Sequence, residues 1–477
     1  MPDRQHLTSK IRSYLDALSP RAVQTLVRGL ENARAKGSDD PHLDLILDAC
    51  LGAVRKPRAI EPTDWEPRAH FLKRVFFHPL EDFLLDEPLP GKVRGRITRS
   101  SLDSIWTWLS RDVAPEAVAS TEERAARLET TSPEILALAD ALRDALLPHM
   151  RDLYADAQGD DRRHQKLMML VGGERAFRDL EDIIAVFSAR GWLDGLRESL
   201  PTRMSEWDFK PGSPTLKRIK AVSDRQGEQA FLVASVVLAR LDAPEALMAL
   251  SAGLAGSDSV RKMAASPYAV FAEMAFSEAE RLSGLVCGSC TNAELSEHLN
   301  HYIRLVKFID RRFELDEWPA WQKQVAATRR SISQLVTRDL EAAAGNLRRA
   351  LLVPKIGADG EPKVDALALE EALRGLMLLD RMRDAADSLA VNEVTARTRQ
   401  VIDQSLEFKT RALLGDLAKT SGAARTAQLV AVDAGIALCE RYYGKDYADQ
   451  LRRSRKAALS APAPDADGDQ TARRAGG

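Results

Sequence analysis

Apolar residues recur every three to four positions along almost the whole chain, from Leu7 to Leu459, and sustained apolar/polar alternation is nearly absent. That period lines one face of a helix, whereas a half-buried strand needs a period of two. The pattern predicts an all-α protein. Its form is a multi-helix bundle or an irregular α-solenoid built from antiparallel helix pairs, with a disordered C-terminal tail.

Composition fits that expectation. A chain of 477 residues with 45% hydrophobic and 29% charged residues buries about three quarters of its unfolded surface. A core of that size needs neither disulfides nor a metal. The formal net charge of −2 argues against a dedicated nucleic-acid binder, which carries a basic excess. Four cysteines in this length are too few for a disulfide framework. Asp3, Arg4, Lys10 and Arg12 interrupt the first fourteen residues, so no signal-peptide core is present there. The longest strongly apolar run, Phe231 to Ala239, is too short to cross a bilayer. The expectation is a cytoplasmic, soluble protein with no membrane span.

Proline and glycine divide the helices. Ser19-Pro20 and Asp40-Pro41 carry the cap-plus-proline start signal, and Cys50 falls on the apolar stripe of the second helix. From Arg55 to Gly95 the chain is aromatic and proline-rich, which excludes one long helix and predicts short ones over 69–77 and 79–84. A helix resumes at Ser101 with Leu102, Ile105, Trp106 and Leu109 inward. The polar stretch 115–131 reads as a surface segment or linker. Ser132-Pro133-Glu134 opens a helix toward Tyr154, a charged loop is expected over 156–163, and Gly172-Gly173 breaks the next run. After a turn-rich gap at 207–214, apolar helices are expected around 226–241 and 244–254. Further ones run from Pro267 to Leu285, from Ala293 to Phe313 and from Pro319 to Leu352. The Pro354–Val364 segment holds the strongest punctuation. The predicted organisation is an N-terminal region over 1–130, a central region over 131–354, a proline-free helical region over 355–459 and a tail over 460–477. Leu369, Leu373 and Leu376 begin a heptad that drifts by Asp380, so no long coiled coil is expected.

Two local features carry chemistry. Cys287-Gly288-Ser289-Cys290 is followed by His298 and His301, which fall three apart on one helix face. Four such ligands suit tetrahedral zinc, although Cys290 and His298 stand closer than in a zinc finger. The cysteine pair alone also suits a disulfide switch, while buried thiols and solvated histidines make up the bland alternative. The second feature is the basic loop Lys92, Arg94, Arg96 and Arg99, leading to Ser100-Ser101 at a helix start. Helix N-termini and guanidinium groups both favour anions; pairing with local acids such as Asp86 and Glu87 is the plainer expectation. Trp318 and Trp321 anchor a helix corner or form an aromatic patch. No phosphate loop, nucleophile elbow or metalloprotease motif occurs.

Abundant helical surface without an assembled catalytic constellation points to an interaction protein, an adaptor or scaffold that engages a protein partner or itself and needs no cofactor. The alternatives are a metal- or redox-dependent protein built on the Cys287/Cys290/His298/His301 cluster, and an anion-sensing regulator built on the Lys92–Arg99 loop.

Overall fold

The structure, a computed structural model, describes residues 68–128, 132–288, 290–357, 361–363 and 365–460. The helices expected after Ser19 and Asp40, Cys50 with them, and the tail beyond residue 460 lie outside the described residues. The protein is all-α. The described strands are the two-residue pair β1 (Leu84–Leu85) and β2 (Ile97–Thr98), parallel with Leu84 opposite Ile97. No described helix is long and apolar enough to cross a membrane.

The chain forms two compact units. Unit 1 takes in residues up to Asp86 and Arg96–Arg203, and unit 2 takes in Glu87–Gly95 and everything from Met204 onward. In unit 1, α1 (Arg68–Phe77) runs into a 3-10 turn (His78–Phe83). After β2 come α2 (Ser101–Trp108), a π turn (Leu109–Val113) and α3 (Pro115–Ala126). Then follow α4 (Pro133–Gln158), α5 (Asp161–Leu170) and α6 (Glu174–Ser199). The core gathers Phe76, Phe77, Trp106 and Phe187, with Phe76 meeting the other three edge-on at 5.0, 5.1 and 5.5 Å. The stretch 115–131, expected as a surface segment or linker, is helical through Ala126, with Val118, Thr121 and Ala125 buried. The expected charged loop at 156–163 shrinks to Gly159 and Asp160. Asp160 caps α5 by accepting from the backbone N–H groups of Arg162 and Arg163 at 2.8 and 2.9 Å.

Unit 2 begins with a 3-10 turn (Glu206–Phe209) and α7 (Pro214–Gln226). It continues through α8 (Ala230–Leu238), α9 (Ala246–Ala255), α10 (Val260–Ala264) and α11 (Ala269–Cys287). Then come α12 (Asn292–Arg312), α13 (Pro319–Ala350), α14 (Ala366–Arg381) and α15 (Ala386–Leu389). The last three are α16 (Asn392–Leu417), α17 (Gly422–Tyr443) and α18 (Lys445–Ser460). Helix α8 is apolar on all sides and buried from Ala230 to Val237, as such a composition requires. Consecutive helices pack as pairs, α11 on α12, α13 on α14 and α16 on α17. The punctuated segment 354–364 falls in sequence between α13 and α14, two helices that pack together. The long α13, 32 residues and about 48 Å by helical rise, is the spine against which α11, α14 and α16 lie. Gly375 permits a close approach of α14 to α13. A Cβ there would stand 2.6 Å from the Ala343 Cβ.

Candidate functional site

The segment 87–95 is held on α8 by a specific contact. Ser235, fully buried, donates its hydroxyl to the Gly95 carbonyl at 2.9 Å and to the Phe231 carbonyl at 3.1 Å. Gly95 has φ +79°, and a Cβ there would meet the Ser235 Oγ at 2.5 Å. Only glycine fits. With Gly95 fixed, the preceding Arg94 lays its guanidinium over the Phe231 ring, 4.2 Å from the centroid. Arg94 makes no ion pair among the described residues.

Arg94 stands at the rim of a cleft of about 610 Å³ within unit 2. Segment 87–95 supplies Lys92, Val93 and Arg94; α8 supplies Phe231; α11 supplies Val270, Glu273 and Met274; the start of α13 supplies Trp318, Trp321 and Gln324. Pro319 at the first turn of α13 sets the tryptophans in place. Trp321 is buried, 5.2 Å from the Phe276 ring, and half-buried Trp318 meets it edge-on at 6.5 Å. Glu273 is an exposed residue at the rim whose carboxyl pKa is pushed up by desolvation against its apolar neighbours. The cleft therefore joins an aromatic wall to charges of both signs, a surface suited to recognition.

The four basic residues of the Lys92–Arg99 loop differ in their surroundings. Lys92 and Arg94 belong to unit 2, Arg96 and Arg99 to unit 1. Arg96 is buried. Arg99 pairs with Asp86 at 2.7 Å and Glu81 at 3.4 Å. Burial works against its charge, but the hydrogen bonds it donates to Asp86 and Glu81 outweigh that and hold its pKa above the usual value. An anion does sit at the entry to α2, and it is the chain's own. The buried Asp179 carboxylate of α6 accepts from the Thr98 backbone N–H at 3.0 Å and the Ser101 hydroxyl at 2.8 Å.

Cys287, Cys290, His298 and His301 do not come together as a metal site. Among the described residues, no group of three or more His, Cys, Asp or Glu side chains is placed to hold a metal ion. The reason lies in helix geometry. Cys287 ends α11, and Thr291 caps α12 in a reciprocal box with Glu294. His298 and His301 then stand about 9 and 14 Å along α12 from Asn292, at 1.5 Å per residue. Zinc ligands must lie about 2.0–2.3 Å from the metal. Desolvation raises both thiol pKa values, for Cys287 against the Ser283 hydrogen bond and the Arg338 charge, for Cys290 against the Arg374 charge. Raised thiols disfavour the thiolate that metal binding and exchange both require. Cys290 lines a second cleft of about 700 Å³ between α13 and α14. Two acid–base pairs line that cleft, Arg374 with Asp339 at 2.8 Å and Arg349 with Glu371.

Sequence reasoning isolated Lys92, Arg94, Trp318 and Trp321 but had no means of joining them. Phe231, Glu273 and Met274 carried no signal of their own. Compared with known protein families, curated proteins and solved structures, the chain matches none.

Proposed function

We propose that this chain is a cytoplasmic interaction protein, an adaptor or scaffold that holds a partner on unit 2. One observation carries the reading. Arg94, without a carboxylate partner among the described residues, is stacked on Phe231 at the rim of an aromatic-walled cleft. Stacking fixes the guanidinium and leaves its N–H edges for an incoming anion. Arginine and tryptophan are the residue types that dominate binding energy at protein interfaces. The rim residue Ala320 offers a place to test it.

A photo-crosslinking amino acid at Ala320 in the full chain should capture one partner, or a second copy, in its native extract. Arg94→Glu and Trp318→Ala should abolish that capture, and Arg124→Glu on α3 of unit 1 should not. A crosslink indifferent to Arg94 and Trp318, or none at all, overturns the reading.

A further inference from the structure

The chemistry of the cleft narrows what the partner presents. Arg94 is exposed and makes no ion pair among the described residues. A planar guanidinium fixed on a ring matches a carboxylate through two parallel N–H donors, which a lysine cannot reproduce. Deeper in, Trp318, Trp321 and Met274 form an apolar wall that favours an aromatic ring stacked or edge-on. The occupant therefore carries a carboxylate close to a ring.

The mouth of the cleft argues for a chain end over a small molecule. Arg94, Glu228, Pro267, Glu273 and Ala320 around it are all exposed. A site for a free small molecule covers about 70–90% of its ligand, and a mouth this open leaves the rest of its occupant in solvent. The two acids add direction. Glu228 and Glu273 make no ion pair among the described residues, and burial raises the carboxyl pKa of Glu273. Both acids favour a positive charge on the part of the occupant that leaves the cleft.

Resting on the interaction-protein reading, we infer that the cleft takes the C-terminal end of a partner protein: an aromatic last residue with its free carboxylate on Arg94, and a basic residue shortly upstream facing Glu228 and Glu273.

The probe is an N-terminally fluorescein-labelled hexapeptide, Gly-Ser-Lys-Gly-Ser-Trp, titrated with the full chain and followed by anisotropy. The free acid should bind saturably, and its C-terminal amide should bind about tenfold or more weakly, because Arg94 then meets a neutral group. Replacing the lysine of the peptide by glutamate should weaken binding, and N-acetyltryptophan should compete poorly. Arg94→Gln should erase the preference for acid over amide, and Glu228→Gln with Glu273→Gln should erase the preference for lysine over glutamate. Unchanged circular-dichroism melting checks that each variant folds. Equal binding of acid and amide, equal competition by N-acetyltryptophan, or no binding of any peptide overturns the inference. If the peptides fail while the Ala320 crosslink still depends on Arg94, the interaction reading stands and the chain-end inference falls; if both fail, both fall.

Discussion

Ser235 donates its hydroxyl to the carbonyl of Gly95 from a fully buried position on α8, across 140 residues of sequence. That bond fixes the backbone immediately after Arg94 and so sets where the guanidinium stands. Gly95→Ala should be doubly costly. It forces an L side chain into φ +79° and drives a Cβ into Ser235 Oγ, together about 2–4 kcal/mol. Ser235→Ala leaves the space intact and removes the donor, at about 1–2 kcal/mol. Urea unfolding of both variants checks the order. A Gly95→Ala protein as stable as the native one would show that segment 87–95 is not held as described.

In unit 1 the buried carboxylate of Asp179 serves β2 and α2 together, through Thr98 and Ser101. Asp179→Ala leaves both donors without that acceptor and should cost about 2–4 kcal/mol. Asp179→Asn keeps an acceptor oxygen and should cost less. Guanidinium unfolding distinguishes them. Equal costs for the two substitutions would mean that volume, not hydrogen bonding, is what Asp179 contributes.

The close crossing of α13 and α14 depends on a missing methyl at Gly375, where a Cβ would come 2.6 Å from that of Ala343. Gly375→Ala should destabilise by about 1–3 kcal/mol despite alanine's better helix propensity. Adding Ala343→Gly should recover part of that loss, so the pair is non-additive. Strict additivity in thermal unfolding would place the cause elsewhere.

The cysteines should behave as structural thiols. Cys439 is fully buried on α17, and its thiol is pushed up to about 11, chiefly by burial. At pH 7.5, iodoacetamide should leave Cys439 untouched until the protein unfolds and should modify Cys287 and Cys290 more slowly than free cysteine, as mass spectrometry would show. Dialysis against a chelator should not change the melting temperature, and neither should Cys287→Ser with Cys290→Ser. One equivalent of tightly held zinc in the purified protein would contradict this.

The helix class was legible because burial imposes a period, and Leu102, Ile105, Trp106 and Leu109 are buried as that period requires. Where the buried stripe is made of small or polar residues, the signal fades. The inward face of α3 is Val118, Thr121 and Ala125, too weakly apolar to stand out in a polar stretch. Apart from Asp160, which caps α5 from the two-residue turn, the charges over 156–163 lie on the helices to either side, and Arg163 pairs with Asp156 at 3.0 Å. Helix α7, polar over much of its length, fell in the gap between the turn-rich segment and the apolar run that followed. The basic loop was visible as a cluster of like charges, yet its chain crosses from one unit to the other between Gly95 and Arg96. Local composition does not record such a crossing. The cleft draws on residues 92, 231, 273 and 318, and no local pattern links positions so far apart.

Glu273 offers a test of the rim by pH. Its carboxyl pKa lies above the ordinary 4.5 because desolvation disfavours the charged form. The folded state therefore keeps its proton at pH values where the unfolded chain has lost it. Stability from this group is fully present below the unfolded value and falls as pH rises through the raised one. Glu273→Gln removes the titration, so the variant should be more stable than the native protein at pH 7, with the gap narrowing toward pH 4. Urea midpoints at pH 4, 5.5 and 7 measure it. A gap that stays constant, or one that widens at low pH, would show that Glu273 is solvated or paired and would remove it from the set of charges available to a basic residue on the partner.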